Sequence, residues 1–124
     1  MGVEIDTKSI DQALKRMVAQ EKKVRNKGLK EAAKAVAERL RENTPIDPTD
    51  GNEKHMKDDV AISGVDQYGE IYVGYGKETA WRAHFVEMGT IKQRPQHFIE
   101  RTEQEMQEEI MRIMAEEFKR GIGL

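Results

Sequence analysis

Apolar residues recur at helical spacing over the last third of the chain. They are Ile99, Met106, Ile110, Ile113, Met114 and Phe118. Residues at these intervals share one face of an α-helix, which completes a turn about every 3.6 residues. The positive charges of Lys119 and Arg120 interact favourably with the negative C-terminal end of the helix dipole. Gly121 is typical of the residue at which a helix stops. The spacing therefore predicts a helix from about His97 to Lys119.

Two further apolar runs occupy the first third of the chain. They are Ile10, Leu14, Met17 and Val18, followed by Leu29, Ala33, Val36, Ala37 and Leu40. Their spacing predicts one long helix, or two consecutive helices, from about Ser9 to Glu42. Gly28 could break this segment, since glycine costs about 1 kcal/mol in a helix interior. Pro45 ends it, because a proline disfavours helical geometry in the residue before it.

A β-hairpin is predicted between these helical stretches. The alternating apolar residues are Val60 and Ile62 before a turn, and Ile71, Val73 and Tyr75 after it. Alternation with a period of two is typical of strands that bury one face. Because two strands alone are only marginally stable, we expect a strand at 3–5 or a strand from a partner to extend the sheet.

The order of these elements predicts one α+β domain over residues 1–124. The spacing from Thr79 to Glu87 adds a short helix, which Gly89 would end because glycine adopts turn conformations freely. The expected architecture is a long N-terminal helix or helix pair, a small antiparallel sheet with a central hairpin, a short helix and a long C-terminal helix.

The segment from Pro45 to Lys57 is predicted to be a loop, because turn-forming residues crowd into it. Loops of this length in compact domains are often functional. This one has few apolar anchors to offset the entropy of ordering, so we expect it to be mobile in the free protein. Its candidate interaction residues are Asp47, Asp50, Lys54 and Lys57.

The composition argues against several classes of protein. The chain has 21 basic and 23 acidic residues, a net charge of −2, and no cysteine. Disulfides and thiolate metal sites are therefore excluded, and no basic excess supports nucleic-acid binding as the main activity. No apolar run approaches the roughly 18 residues of a membrane span, and we expect no signal peptide from the acidic N-terminus.

Few residues are arranged for catalysis. His84 and Glu87 lie three residues apart and could supply half of a metal site, which needs a third and usually a fourth ligand. Ser9 and Ser63 are the only serines, and neither lies in a nucleophile-elbow pattern. We therefore expect no catalytic residue, no metal and no cofactor. A small metal-dependent hydrolase using His84 and Glu87 is the alternative.

Charge of opposite sign gathers on the two long helices. The basic cluster comprises Lys22, Lys23, Arg25, Lys27 and Lys30, and the acidic cluster spans 103–109. No aromatic residue interleaves the basic cluster for base stacking, so a nucleic-acid-binding module is the less favoured alternative. Opposite patches on one subunit allow head-to-tail contacts, which can close into rings. The helical stripes and the hairpin account for most apolar residues, so we expect no large exposed apolar patch.

The segment 83–90, with the sequence AHFVEMGT, closely resembles the aromatic-x-Glu-aromatic-Gly-Thr signature of lambda-like siphophage tail components. These proteins are also described as tail-completion or head–tail joining proteins. The likeness continues through 94–101, where the family has a proline-containing loop and a Phe-hydrophobic-Arg step. The matching signature residues are Phe85, Glu87, Gly89, Thr90, Pro95, Phe98 and Arg101.

The resemblance spans roughly residues 29–118, and Thr44-Pro45-Ile46-Asp47 is similar to the step that follows the family's long helix. Three features depart from the family pattern. An insertion follows at 48–51, Met88 replaces an aromatic residue, and His97 stands where the family often has proline. In the signature, we expect Glu87 and Arg101 to pair across the turn at Gly89.

The resemblance implies a non-enzymatic structural protein of the neck or tail of a phage or prophage virion. Such a protein helps to complete the tail and to join it to the head through a protein ring. The implied partners are other neck and tail proteins, such as the tail terminator or tube and the head-closure protein, and further copies of the chain. Neither a membrane nor a specific nucleic acid is expected as a partner. The implied location is the bacterial host cytoplasm during assembly and then the virion.

Overall fold

The computed structural model describes residues 7–46, 55–89 and 96–121. The elements are helix α1 (Thr7–Asn43), a 3-10 helix (Met56–Asp59), strands β1 (Val60–Ile62) and β2 (Val73–Tyr75), and helices α2 (Ala80–Met88) and α3 (Phe98–Gly121). This order confirms the predicted α+β class with its two long helices, central hairpin and short helix. The strand expected at 3–5 lies outside the described residues.

Helix α1 is continuous, so the break considered at Gly28 does not occur. Gly28 is buried, and a Cβ atom added there would lie 3.0 Å from the Sδ atom of Met114. A larger residue would therefore have to displace the side chain of Met114. Because glycine has no side chain, the two helices can pack closely at this position, and this packing offsets the low helix propensity of glycine.

Helices α1 and α3 pack side by side and antiparallel. Arg39 Nε lies 2.6 Å from Glu105 Oε2, and Lys27 Nζ lies 3.6 Å from Glu117 Oε2. Gly121, predicted to stop the helix, instead belongs to α3. A Cβ atom there would lie 2.4 Å from a methyl carbon of Val24. This glycine therefore serves a close contact with α1, at the end of the described part of α3.

Among the side chains that the structure describes, the largest fully buried one lies where the C-terminal end of α1, the hairpin, α2 and the start of α3 converge. Phe98 is fully buried, in one cluster with Leu40, Met56 and Ala83. The ring of Tyr75 meets the ring of Phe98 edge-on, with centroids 6.1 Å apart, a favourable arrangement for two aromatic rings. Burial of a side chain such as Phe98 contributes roughly 1.5–3 kcal/mol to the stability of the fold. The cluster therefore helps to hold these elements together.

The hairpin is antiparallel, as predicted, and Val60 pairs with Tyr75 across it. Its turn is closed by Gly69, whose N–H donates to the carbonyl of Asp66 and whose φ is 77°. Among the described residues the sheet has two strands, and its extension by residues 3–5 or by a partner strand stays a prediction. Val60, Val73 and Tyr75 of the hairpin pack against the Phe98 cluster.

The N-terminal part of α1 contradicts the expectation that the apolar residues are covered. Four side chains there are between 43% and 68% exposed: Ile10, Leu14, Met17 and Val18. The reason lies in the tertiary arrangement, because the described part of α3 ends beside Val24. We call residues 7–23 of α1 the α1 arm.

Candidate functional site

The last turn of α2 places one carboxylate against the first turn of α3. Glu87 is 8% exposed. Its Oε1 and Oε2 atoms accept hydrogen bonds from the backbone N–H groups of Ile99 and Glu100, each at 2.9 Å. The first N–H groups of a helix have no partner inside it, and a negative charge there suits the helix dipole. Glu87 therefore caps α3 from another helix.

Main-chain hydrogen bonds join the same two helix ends. The N–H of Gln96 donates to the carbonyl of Val86 at 3.0 Å, and the N–H of His97 donates to the carbonyl of Glu87 at 3.2 Å. Gly89 has a φ of 81°, in the left-handed region that glycine adopts at little cost. The end of α2 and the start of α3 thus form one hydrogen-bonded unit, which we call the α2–α3 clamp (residues 86–89 and 96–100).

His97 gives the clamp an unusual backbone geometry. Its φ is 47°, which is uncommon for residues other than glycine, and its Nδ1 atom lies 3.3 Å from Oε2 of Glu100. Because the proline ring holds φ near about −65°, a proline at this position could not adopt the conformation. The histidine at position 97, where the family often has proline, therefore goes with a backbone conformation that proline cannot adopt.

The expected pair between Glu87 and Arg101 is wrong. Both oxygens of Glu87 are engaged by the α3 backbone, whereas Arg101 Nε lies 3.8 Å from Glu105 Oε1, one turn further along α3. The N–H groups at the start of α3, which have no acceptor within the helix, bind Glu87 in place of the arginine. A sequence pattern identifies charged side chains more readily than it identifies free backbone donors.

The geometry of His84 and Glu87 does not support the hydrolase alternative. Glu87 uses both carboxylate oxygens as a cap, and His84 is exposed on α2. Among the described residues, no three His, Cys, Asp or Glu side chains are grouped so that they could hold a metal ion. Within the same residues, no helix is both long and apolar enough to cross a membrane.

The HK97-gp10-like family model, which describes a bacteriophage tail component, matches residues 8–89. The chain belongs to this family. The match covers the arm, the hairpin and α2, including Glu87 and Gly89. No curated protein and no solved structure matches the chain.

The signature residues of this HK97-gp10-like protein take different positions. Phe85 lies in α2, Glu87 and Gly89 lie in the clamp, Phe98 lies at the core, and Arg101 lies on the surface of α3. Thr90 and Pro95 fall outside the described residues, as do Asp47, Asp50 and Lys54 of the candidate interaction loop. Lys57, the last of that group, is half-buried in the 3-10 helix. The loop predicted from Pro45 to Lys57 ends earlier than expected, because Met56 and Lys57 belong to the 3-10 helix. The expected mobility of the loop from about Asp47 to Lys57 stays a prediction.

A second polar contact, missed in the sequence, holds the end of α1 against the hairpin. The hydroxyl groups of Thr44 and Tyr75 lie 2.7 Å apart, and Thr44 also donates to the carbonyl of Leu40. Burial raises the pKa of Tyr75 to about 12, and the contact with Thr44 partly opposes that rise. The threonine before Pro45 could have indicated this contact in the sequence, since hydroxyl groups at helix ends often form hydrogen bonds with the backbone.

A third polar contact fixes the start of α2. Thr79 is fully buried, and its hydroxyl donates to Oδ2 of Asp59 at 2.7 Å. The backbone carbonyl of Asp59 accepts from the N–H of Gly76, and a Cβ atom at Gly76 would lie 2.6 Å from Oδ1 of Asp59. Asp59 thus organises the turn from β2 into α2.

The two charged clusters are partly paired within the chain. Four lysines of the basic cluster line one shallow groove on α1: Lys22, Lys23, Lys27 and Lys30. Lys27 also approaches Glu117 of α3. In the acidic cluster, the hydrogen bond from Arg39 lowers the pKa of Glu105. These internal pairs reduce the charge that either cluster offers to a partner.

Proposed function

We propose that this tail component is a non-enzymatic structural protein of the virion neck. It helps to complete the tail and joins the tail to the head as part of a protein ring. Its partners are the neighbouring neck and tail proteins, such as the tail terminator or tube and the head-closure protein. It acts first in the host cytoplasm during assembly and then in the virion.

The observation that carries the proposal is the capping of α3 by Glu87. This residue is the glutamate of the tail-component signature and also the carboxylate that a hydrolase would need. It is buried, and both of its oxygens bind backbone N–H groups at 2.9 Å. A general base must be able to reach the proton that it removes, so this arrangement suits an architectural role.

The charge distribution supports assembly with other copies. The basic cluster lies on α1 and the acidic cluster on α3, so one subunit presents both signs. Contacts between unlike patches are head-to-tail, and they close into a ring when the rotation permits. Exposed ion pairs contribute only about 0–1 kcal/mol each, so we expect the ring to be completed on the tail rather than in dilute solution.

Deletion of the gene from its phage or prophage tests the proposal. We expect electron micrographs of the lysate to show filled heads and unjoined tails, because the ring that completes the tail and joins it to the head would be missing. Purified wild-type protein added to that lysate should restore joined, infectious particles. Intact virions in the deletion strain would overturn the proposal.

A pair of variants separates the structural role from a catalytic one. His84→Ala leaves the capping of α3 unchanged, so the folded variant should restore joining as well as wild type does. If it failed to restore joining while binding to tails normally, the hydrolase alternative would gain support. Glu103→Ala, which removes an exposed carboxylate from α3, serves as the matched surface control.

A further inference from the structure

A groove of about 310 Å³ lies between the β2 side of the hairpin, α1 and α3. The side chains that line it are mostly aliphatic and half-buried, and they include Leu29, Val36, Ile71, Val73, Ile99 and Ile110. Half-buried aliphatic side chains still expose apolar surface, and covering that surface is favourable. The groove is therefore an apolar site directly beside the sheet.

The edge of β2 beside this groove is open. The N–H of Ser63 donates to the carbonyl of Tyr72 at 2.9 Å, so Tyr72 bonds toward the β1 side of the hairpin. Successive residues of an antiparallel strand bond to opposite sides, which directs the N–H and C=O groups of Val73 and Tyr75 away from β1. Among the described residues no third strand pairs with β2. An edge of this kind is a template for another strand.

The opposite edge of the hairpin is bordered by charged side chains. Beside Ile62 of β1, the neighbouring groove is lined by Lys34, Glu38 and Arg41 of α1. A strand with one apolar face would place that face against these charges if it joined β1. Such a strand therefore suits the edge of β2 and not the edge of β1.

Residues 1–6 have the sequence pattern of such a strand. Their sequence is MGVEID, in which the apolar Met1, Val3 and Ile5 alternate with glycine and two acidic residues. A period of two places the three apolar side chains on one face of a strand and the acidic ones on the other. The segment thus offers the apolar face that the groove lacks.

The other segments outside the described residues match the groove less well. Residues 47–54 (DPTDGNEK) contain no Val, Ile, Leu or Met, and residues 90–95 (TIKQRP) contain one, Ile91. Residues 122–124 follow the end of α3, which runs along α1 toward the arm and away from the groove. Residues 1–6 are therefore the favoured occupant.

The groove of the same molecule is out of reach for residues 1–6. Leu29 is the first residue of α1 that lines the groove, and it lies about 33 Å along the helix from Thr7, at about 1.5 Å per residue. Six extended residues span at most about 22 Å, and α1 is continuous between the two points. This segment can therefore enter the groove of another molecule but not its own.

We propose that residues 1–6 of one copy add a third strand to the β2 edge of a second copy, with Val3 and Ile5 in the apolar groove. Strand addition combines main-chain hydrogen bonds with pockets for alternate side chains. Because the donor segment and the acceptor edge lie on different parts of the subunit, each copy can donate one strand and accept another, as a ring requires. The inference rests on the proposed ring function and names the surfaces that form the ring.

The short donor segment sets the strength of this contact. A few main-chain hydrogen bonds and three apolar side chains have to offset the entropy of ordering the segment. A single contact is therefore weak in dilute solution. The contacts reinforce one another when a ring closes or when a template holds the copies together.

Disulfide trapping tests the strand addition in purified protein, since the chain has no cysteine of its own. Glu4→Cys and Tyr72→Cys are prepared as separate proteins with C-terminal tags of different mass, mixed and oxidised with copper-phenanthroline. Glu4 alternates with Val3 and Ile5, so it would face outward in the added strand, on the same side of the sheet as Tyr72, which is 60% exposed. We expect the mixed-tag dimer to form several-fold faster than a dimer of Glu4→Cys with Ala61→Cys. Ala61 is exposed on the same face of the sheet, but on β1.

A pair of matched variants tests the role of the apolar face. Adding Ile5→Glu to the Glu4→Cys protein should reduce the mixed-tag dimer to the level of the Ala61→Cys control, because it would bury a carboxylate in an apolar groove. Adding Gly2→Glu instead introduces the same charge on the outward face and should leave the rate unchanged. Circular dichroism confirms that each variant is folded.

Three results would overturn the proposal. They are equal rates with Tyr72→Cys and Ala61→Cys, equal loss with Ile5→Glu and Gly2→Glu, and a disulfide within one molecule when Glu4→Cys and Tyr72→Cys are combined in one chain. None of them depends on whether the deletion strain separates heads from tails, so failure of this proposal and failure of the proposed function are distinguishable.

Discussion

The carboxylate of Glu87 lies 2.9 Å from the backbone nitrogen of Ile99. This contact joins two helices through a group that the sequence marks only as an acidic residue in a short motif. It fixes the direction in which α3 leaves α2, and α3 then runs back along α1. One buried side chain near the turn at Gly89 therefore contributes to the placement of α3 along α1.

We predict that Glu87→Ala lowers the free energy of unfolding by about 2 kcal/mol, because two N–H groups of α3 lose their acceptor. Glu87→Gln should cost less, since the amide retains one acceptor oxygen. Urea unfolding followed by circular dichroism measures both effects. Glu103→Ala is the control, and we expect it to stay within about 0.5 kcal/mol of wild type. Equal stability of Glu87→Ala and Glu103→Ala would show that the cap contributes nothing.

Gly28→Val should destabilise the protein by about 1–3 kcal/mol, because the branched side chain would overlap Met114 and overpack the α1–α3 contact. Ala19→Val is the matched control on the same helix, at an exposed position. It should cost only the difference in helix propensity, well under 1 kcal/mol. Thermal unfolding of the two variants makes the comparison. A Gly28→Val protein as stable as the control would contradict the close packing at this point.

Tyr75 should make the stability depend on pH in the alkaline range. Burial raises the pKa of its hydroxyl to about 12 in the folded protein, above the usual value of about 10 in an unfolded chain. The stabilisation is therefore fully present below about pH 10 and is lost as the pH rises toward 12. Urea unfolding at several values in this range should show a steeper decline for wild type than for Tyr75→Phe. Parallel declines would mean that Tyr75 ionises as freely in the folded state as in the unfolded one.

Purified protein should contain no stoichiometric zinc, because Glu87 is occupied as a cap and His84 alone is a poor site. Elemental analysis after removal of any affinity tag measures this directly. Glu87→Ala should lower stability through loss of the cap, and neither Glu87→Ala nor His84→Ala should remove any turnover. One zinc ion per chain, lost in His84→Ala, would contradict this prediction.

Periodicity in the sequence was sufficient to predict the elements and their order. The 3.6-residue stripes indicated α1 and α3, and the alternation from Val60 to Tyr75 indicated the hairpin. These patterns are local, since a helix or a strand buries one face wherever it lies in the fold. The short motif around Glu87 and Gly89 likewise pointed to phage tail components, and the family match over residues 8–89 confirms that family.

The tertiary structure decided which stripes are covered and what the polar residues contact. Ile10 and Leu40 belong to similar runs, yet Leu40 is buried and Ile10 is exposed, because the described part of α3 ends beside Val24. Gly28 suggests a helix break in the sequence, but it is a buried position against which the side chain of Met114 packs. Glu87 bonds to backbone donors that exist only where α3 begins. Each of these outcomes depends on residues far away along the chain, and so no local pattern could contain it.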